Sequence, residues 1–357
     1  MKVYLVSIQY IPHITGGGGV VVKDLSVELA KAGDKVTVLC LGLKDKEDET
    51  IVIEDGSGTH LIKIKRFYTF DSPRILNPYE GTKEDEFRRF EEFTDKVFEY
   101  LKDKEGIIHL HGHYAIPALA KRIKENGLKN PTIISFSALE STAFETMEKN
   151  NDYILNYIKE REEIGLKYCD YAIVNSEKVR AQLKDKYSNS FYEKKVLTLP
   201  NYVSNEHIYI RPYCSEDLIN IRRKYKINDS NPLIYHIGRF DKIKGIEYLI
   251  KSMEIVGTQI NFNISVFIVG FLEDKQKVYF NSLSNLANQV MDICPNVEIK
   301  LHSGQIQVKD RLCLFDSCSF FVTPAIIEPF GLTTLEAWAR GKAVIRSDNE
   351  GSRFFNA

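Results

Sequence analysis

The chain has 357 residues, more than one hydrophobic core usually organises, and we therefore expect two domains. Hydrophobic residues make up 43% of the chain and charged residues 27%, a globular composition that excludes a disordered or fibrous protein. Lysine and arginine together number 48 against 49 aspartate and glutamate residues, so no global basic field attracts nucleic acid. Any anion-binding site must be local.

The cysteines and the N-terminal run bear on the cellular compartment. The six cysteines are scattered without a CxxC pair, which predicts reduced, buried thiols in a cytosolic protein and not a disulfide framework or a zinc site. The opening run "KVYLVSI" is too short for a signal peptide, and no apolar stretch approaches the length of a membrane span. We expect a cytoplasmic protein, with a peripheral membrane contact left open.

From the first residue onward, short apolar runs rich in β-branched residues alternate with helical patterns. Seven runs predict strands buried on both faces: "KVYLVSI", "KVTVLCL", "HLIKIKRF", "IIHLH", "TIISFS", "YAIVNS" and "KVLTLP". The clearest helix is "VVVKDLSVELAKAG", with Val21, Leu25 and Leu29 on one face and Gly33 placed to end it. This alternation predicts a doubly wound parallel sheet with helices on both faces.

A break follows at "PNYVSNEHIYIRPYCSEDLINIRRKYKINDSNP", which carries turn signals at both ends and predicts a linker and an entry helix. Beyond it the predicted helices are "GIEYLIKSMEIVG", "FNSLSNLANQVM" and "LTTLEAWARG". The strand-like runs between them are "LIYHIGRF", "ISVFIVGF", "VEIKLHS", "RLCLFDSC", "FFVTPA" and "AVIRSD". They predict a second Rossmann-like sheet.

The expected architecture is therefore α/β, with two Rossmann-like domains over residues 1–204 and 205–357 that face a central cleft. The second sheet stops without the closing strand and helices that this layout requires, so the C-terminal domain is expected to be incomplete. Ligands of open α/β sheets bind beyond the carboxyl ends of the strands. The loops at those ends are therefore the candidate sites.

The first candidate is "IPHITGGGGV", which follows the opening strand and leads into a helix. Its glycines, from Gly16 to Gly19, let backbone amides approach an anion or a sugar closely, and the helix start favours negative charge. The run does not match GxGxxG, so dinucleotide binding is not indicated. A flexible surface turn is the alternative.

The second candidate is "HIGRFDKIKG", at the end of the first strand of the second domain. Arg239 and Lys244 are five residues apart on a loop that Gly238 and Gly245 free to fold, so both cations could converge on one diphosphate. The alternative is a pair of solvated surface cations.

The third candidate is "EPFGLTTLEAW", a loop that enters a helix. The amides of Gly331, Leu332 and Thr333 at the helix start are suited to phosphate oxygens. Glu328, in the loop, would reach sugar hydroxyls beside that phosphate, and Glu336, inside the helix, could accept a hydrogen bond from a ribose. The alternative is that Glu328 caps the helix and Glu336 lies on the surface.

The fourth candidate is "IIHLHGHYAIPALA", where His109, His111 and His113 alternate at a strand end. No carboxylate follows at ligand spacing, so a metal site is not expected. A histidine that projects into the cleft and hydrogen-bonds a sugar fits better, and one of the three is expected to be an ordinary buried strand histidine.

Taken together, these stretches resemble the retaining glycosyltransferases of family 4, with the glycosyl transferase group 1 domain and the two-domain GT-B architecture. "EPFGLTTLE" is similar to their E-x7-E signature, "GRFDKIKG" to their phosphate loop and "GGGGVV" to their N-terminal glycine loop. "AIVNSEKV", "LPNYV" and "FIVG" also resemble landmarks of the family, in the same order over most of the chain.

The resemblance implies an enzyme that moves a sugar from a nucleotide-diphosphate sugar, of the UDP or GDP type, with retention at the anomeric carbon. It implies a sugar, sugar-phosphate or glycan-lipid acceptor. It also implies that neither a metal ion nor another cofactor is needed, because side-chain cations take the place of a divalent ion.

The resemblance assigns roles to individual residues. Arg239 and Lys244 would neutralise the departing diphosphate, Glu328 would bind donor-sugar hydroxyls, and Glu336 would bind the ribose. His113 matches the cleft histidine that hydrogen-bonds the donor sugar. Gly18 and His111 would contact the acceptor, with His111 also the second choice for the cleft histidine, and Gly16 and Gly17 would line the reaction centre on its acceptor side. The further donor-binding positions are Gly16, Gly17, Gly238, Gly331, Leu332 and Thr333.

The sequence departs from the family pattern at "IISFSALES", where Phe136 and Ser137 stand in place of a Gly-His-Ser type stretch. The acceptor role carried over from members that act on sugar phosphates is therefore in question, and we expect acceptor selectivity in first-domain loops such as residues 67–92. The alternative function is a catalytically silent GT-B protein that binds a nucleotide sugar or partners an active transferase.

Overall fold

The protein, seen here as a computed structural model, divides into two units, Met1–Asn201 and Tyr202–Ala357. The structure describes residues 1–14, 16–44, 46–56, 58–112, 116–147, 151–203, 212–272, 276–304 and 306–349. Each unit is a mainly parallel sheet with helices on its faces. Among the described residues, no helix is long and apolar enough to cross a lipid bilayer.

The first unit is built on an eight-stranded sheet in the order β3-β4-β2-β1-β5-β6-β7-β8. The strands are β1 Lys2–Ser7, β2 Lys35–Leu41, β3 Glu49–Asp55, β4 Gly58–Phe67, β5 Ile107–His111, β6 Thr132–Phe136, β7 Tyr171–Val174 and β8 Val196–Thr198. All neighbours pair in parallel except β3, which runs antiparallel to β4 at the edge.

Helices cover this sheet on both faces, as the sequence predicts. They are α1 Gly17–Lys31, α2 Lys83–Leu101, α3 Pro117–Glu125, α4 Glu140–Met147, α5 Asp152–Tyr168 and α6 Glu177–Lys186. Alternate residues of β1 enter different cores, since Tyr4 and Val6 pack in one cluster while Val3 and Leu5 pack in another. A strand buried on both faces has this pattern.

The second unit has a five-stranded parallel sheet in the order β11-β10-β9-β12-β13. Its strands are β9 Leu233–Ile237, β10 Ile264–Gly270, β11 Val297–Ser303, β12 Phe320–Thr323 and β13 Ala343–Arg346. Its helices are α7 Ser215–Lys224, α8 Ile246–Gln259, α9 Lys277–Ile293, α10 Val308–Ser317 and α11 Leu332–Ala339. Strand β9 occupies the centre, so the loop that follows it leaves from the middle of the sheet.

Four sequence-based expectations are wrong. The run "KVLTLP" forms the edge strand β8 and is not buried on both faces, because Val196 is buried whereas Leu197 and Leu199 are 46% and 53% exposed.

The run "HLIKIKRF" is not buried on both faces, because Ile62 and Ile64 are buried in β4 whereas Leu61 and Lys63 are exposed. Strand β4 is next to the edge strand β3, which runs antiparallel to it and which the sequence analysis does not identify. Near the edge of the sheet, the face of β4 that carries Leu61 and Lys63 is less covered by other residues.

The run "RLCLFDSC" forms helix α10 and not a strand. Its consecutive apolar residues are all buried, including Leu312, Leu314 and Phe315. A short run buried all round carries no period, and helix and strand cannot be told apart in it.

Residues 67–92 are not a continuous loop, because helix α2 begins at Lys83. A capping box starts this helix: the Asp85 amide donates to the Thr82 hydroxyl oxygen at 3.1 Å, and the Thr82 amide donates to the Asp85 carboxylate at 3.1 Å. Arg89 in α2 is buried, and its Nε lies 3.0 Å from the Asp71 carboxylate. Arg89 therefore links helix α2 to the loop that precedes it.

A buried ion pair attaches helix α11 to the end of α10. Arg340, at the C-cap of α11, donates through Nε to Asp316 Oδ1 at 2.7 Å, and the two side chains are 2% and 6% exposed. The Tyr213 amide also donates to Asp316, at 3.0 Å. The orientation of α11 therefore depends on a charge pair removed from water.

We expect Arg340→Met to lower the free energy of unfolding of the second unit by about 3–5 kcal/mol, because it leaves the Asp316 carboxylate buried without its cation. The control is Arg223→Met, which breaks an ion pair with Asp229 whose arginine is 68% exposed and should lose less than about 1 kcal/mol. Chemical denaturation of both variants measures the difference. Equal losses would contradict a buried role for Arg340.

Candidate active site

In the second unit, the loops that follow β9 and β12 are held against each other by the backbone. The amides of Ile326 and Ile327 donate to the carbonyl of Ile243, at 2.8 and 3.3 Å. Gly245 has φ +61°, and a Cβ on it would lie 2.2 Å from the carbonyl oxygen of Pro324. Only glycine permits this approach, so the close spacing of the two loops requires Gly245.

The contact between these loops brings together two residues that the sequence predicts for the donor site. Lys244 Nζ lies 2.8 Å from Glu328 Oε2, and the two side chains are 20% and 17% exposed. Each charge keeps partial access to solvent and has one partner among the described side chains. An ammonium and a carboxylate in contact present to a ligand both a cation for phosphate and an acceptor for hydroxyls.

Gly238 and Arg239 leave strand β9 at the same end. The Gly238 amide donates to the carbonyl of Val269 at 3.0 Å, and a Cβ on Gly270 would lie 1.8 Å from the Gly238 carbonyl oxygen. Arg239 is half-buried and makes no ion pair with any residue that the structure describes. This cation is therefore not committed to another described side chain.

Helix α11 begins without a side-chain cap. Its N-cap is Gly331, at φ 101°, and the amides of Gly331, Leu332 and Thr333 donate no hydrogen bond within the described residues. Glu328 pairs with Lys244 and does not cap the helix, so that alternative is wrong. Open amides at a helix start form an anion-binding site together with the positive end of the helix dipole.

The alternative that Glu336 lies on the surface is wrong. It is 5% exposed on the inner face of α11, and its Oε1 is 3.5 Å from Nη2 of Arg311. A ribose contact through Glu336 therefore stays a prediction, and it would have to share a carboxylate that already has a cation beside it.

In the first unit, helix α1 begins inside the glycine run. Gly16 is the N-cap and Gly17 the first helical residue, and the Gly16 amide donates to the side-chain oxygen of Gln9 at 3.2 Å. A Cβ on Gly16 or Gly18 would meet nothing within 4 Å, whereas one on Gly19 would lie 3.0 Å from the Ile14 side chain. Open space therefore lies over Gly16 and Gly18, and Gly19 serves packing.

The histidines of β5 face the same side of the sheet. The ring centroids of His109 and His111 are 4.1 Å apart, and His109 Nε2 lies 2.7 Å from the Ser135 hydroxyl. His109 is the buried strand histidine that the sequence predicts. Burial, followed by the neighbouring His109, holds the pKa of His111 well below its usual range. Both rings are neutral at pH 7. His113 lies outside the described residues.

Two residues in or near these loops receive no role from the sequence analysis. Gln9 orients the glycine run from the loop after β1, and His236 is a buried imidazole one residue before the end of β9. The only available signal was the placement of a polar residue in or next to an apolar strand. In the part of the chain that the structure describes, no group of three or more histidine, cysteine, aspartate or glutamate residues could hold a metal ion.

Two Rossmann-like units are the architecture of GT-B structures, and the family models that match both units make the protein a glycosyltransferase of the GT-B kind. The chain belongs to the family described as Glycosyltransferase Family 4, which matches residues 15–207. Residues 218–355 match the family described as Glycosyl transferases group 1.

Relatives and solved structures agree with this assignment. An uncharacterized glycosyltransferase of Methanocaldococcus jannaschii is 24% identical over 98% of this chain and 81% of its own length. Sucrose-phosphate synthase from Thermosynechococcus elongatus shares the fold with a TM-score of 0.76 at 20% identity, over 99% of this chain and 82% of that one. Anabaena HepE, solved with UDP and glucose, has a TM-score of 0.65 at 14% identity, over 99% and 82%.

Acid should destabilise the first unit through His109. Burial lowers the pKa of His109 to about 4, from a usual value of 6.5. Between these two pH values, His109 is protonated in the unfolded chain but neutral in the folded unit. The free energy of unfolding should therefore fall as the pH drops from 6.5 to 4. His109→Asn should flatten that decline in denaturation curves recorded across the range. Parallel pH profiles for the two proteins would contradict this origin.

Proposed function

We propose that this glycosyltransferase is a retaining, metal-independent enzyme that transfers a sugar from a nucleotide-diphosphate sugar of the UDP or GDP type. The observation that carries the proposal is the contact of Lys244 with Glu328, in the same unit as the uncapped start of α11. The acceptor is a sugar, a sugar phosphate or a glycan lipid. Family membership supports sugar transfer as the reaction class.

The charge that develops in such a reaction sits on the leaving diphosphate. Lys244 and Arg239 are cations on the β9 loop, and the amides of Gly331, Leu332 and Thr333 supply dipoles at the α11 start. Fixed groups of this kind stabilise a leaving group without reorganisation, which is the task that other transferases give to a divalent ion. The proposal therefore includes no metal and no other cofactor.

Glu328 takes the donor sugar in this proposal. Its Oε2 accepts from Lys244, and a carboxylate has further lone pairs for sugar hydroxyls. Before the donor arrives, the ion pair aligns the ammonium beside the position of the phosphates. When hydroxyls compete for Glu328, the ammonium is released toward the diphosphate.

In this proposal, the acceptor substrate binds beside the glycine run of the first unit. The open space over Gly16 and Gly18 lets a ligand reach backbone atoms that a side chain would shield. His111 adds a neutral imidazole at the end of β5, and His113 keeps its role at the donor sugar as a prediction from the sequence. Anabaena HepE, solved with UDP and glucose, supports a donor of the UDP type for this fold.

A nucleotide should stabilise the protein without any divalent ion. We expect UDP or GDP, with the matching sugar conjugates, to raise the melting temperature by several degrees at about 100 times the dissociation constant, because a ligand of the folded state adds about 2.7 kcal/mol there. Thermal-shift measurements with EDTA and with Mg²⁺ test both parts. A shift that disappears in EDTA would refute metal independence.

Lys244→Ala should weaken binding of the nucleoside diphosphate by about tenfold, since it removes a charged hydrogen-bond donor to phosphate. Glu328→Ala should lower kcat/KM by about 100-fold or more with the nucleotide affinity less affected. Calorimetry and nucleotide release with an acceptor panel measure the two effects.

The matched control is Lys242→Ala, which removes an exposed cation from the same loop and should leave both quantities unchanged. Wild-type behaviour of Lys244→Ala and Glu328→Ala would place the site elsewhere. Tight donor binding by the unaltered protein, with no nucleotide released across the acceptor panel, would favour the catalytically silent alternative.

A further inference from the structure

His236 is a buried imidazole with one ring nitrogen left over. It lies in β9, 1% exposed, and its Nδ1 is 2.8 Å from the carbonyl oxygen of Val322 on the adjacent strand β12. Its Nε2 is also buried, and it has no hydrogen-bond partner in the part of the chain that the structure describes. Buried polar atoms are paired in most proteins, so an empty position of this kind requires an explanation.

The Val322 carbonyl determines which nitrogen carries the proton. A carbonyl oxygen can only accept, so Nδ1 is the N–H donor, and in a neutral ring Nε2 is then a bare acceptor. Burial lowers the pKa of His236 to about 4, and the Val322 carbonyl, which favours the charged ring, only partly opposes this. The lone pair on Nε2 is therefore present at neutral pH.

The lone pair is directed at the base of the β9 loop. A Cβ on Gly238 would lie 3.1 Å from His236 Nε2 and 3.7 Å from Cγ of Lys244. The imidazole edge and the lysine stem therefore border the same small space, which the missing side chain of Gly238 leaves open. The charges of Lys244 and Glu328 also act on the ring, in opposite directions.

Packing alone does not explain a histidine at this position. The Phe321 ring lies parallel to the imidazole with centroids 6.3 Å apart, a contact that an apolar residue would make as well. The hydrogen bond to Val322 requires only a donor at the Nδ1 position, which asparagine supplies. Histidine differs from asparagine in that it also has a hydrogen-bond acceptor, Nε2, which borders the same space as the Lys244 side chain.

We propose that His236 is a positioning residue for Lys244: its Nε2 accepts a hydrogen bond from the ammonium when Glu328 turns to the donor sugar. The inference rests on the proposed function, because Lys244 must contact the diphosphate for its position to matter. Lys244 then exchanges one partner for another and stays directed at the phosphates. Nothing is transferred to His236, which keeps one protonation state throughout.

Two substitutions separate the two bonds of the ring. His236→Asn keeps a donor for Val322 and removes the outer acceptor, whereas His236→Gln keeps an acceptor near the Nε2 position and gives up the Val322 bond. Each is made alone and combined with Lys244→Ala. Calorimetry gives the affinities for UDP and UMP, or for GDP and GMP if the guanine nucleotides bind, and thermal unfolding gives the melting temperature.

We expect His236→Asn to weaken the diphosphate about fivefold, to change the monophosphate little, and to have no further effect in the Lys244→Ala background. His236→Gln should bind the diphosphate like the unaltered protein even if its melting temperature falls. If His236 had only a structural role through its bond to Val322, His236→Gln would weaken diphosphate binding more than His236→Asn.

Additive effects of His236→Asn and Lys244→Ala would overturn the inference, as would equal losses for diphosphate and monophosphate. If Lys244→Ala weakens the diphosphate while His236→Asn does not, the proposed function stands and only this inference fails. If Lys244→Ala binds the diphosphate normally, both fail.

Discussion

The close contact between the loops after β9 and β12 is the constraint on which the candidate donor site depends. Three backbone features set it: the left-handed Gly245, the Pro324 carbonyl that its missing side chain admits, and the Ile243 carbonyl that accepts two amides. Backbone hydrogen bonds fix this spacing more rigidly than flexible side chains could. The contact of Lys244 with Glu328 is a consequence of that spacing.

The groups that recognise a ligand in this proposal are those that the fold leaves incomplete. The amides at the start of α11 have no acceptor among the described residues, and His236 Nε2 has no donor there. By contrast, the pair of Arg340 with Asp316, which attaches α11, is satisfied within the protein. Polar groups that are held in place but have no partner within the protein suit preorganised binding.

The glycines of the two candidate loops do not all have the same role. A Cβ on Gly245 would collide with the Pro324 carbonyl and one on Gly19 would press tightly against Ile14, whereas Gly16 and Gly18 border empty space. The first pair serves folding, and the second pair is the part of the run that bears on ligand access. Sequence alone shows four consecutive glycines and gives them equal weight.

The sequence by itself determined the alternation of buried strands and helices, the placement of the candidate loops at strand ends, and the family. These follow from local chemistry, since β-branched runs, helix periods and glycine clusters can be recognised within a few residues. The tertiary structure alone decided that "RLCLFDSC" is a helix, that Glu336 is buried beside Arg311, and that His236 borders Lys244. Those outcomes depend on strand register and on contacts between residues distant in the chain, which no local pattern encodes.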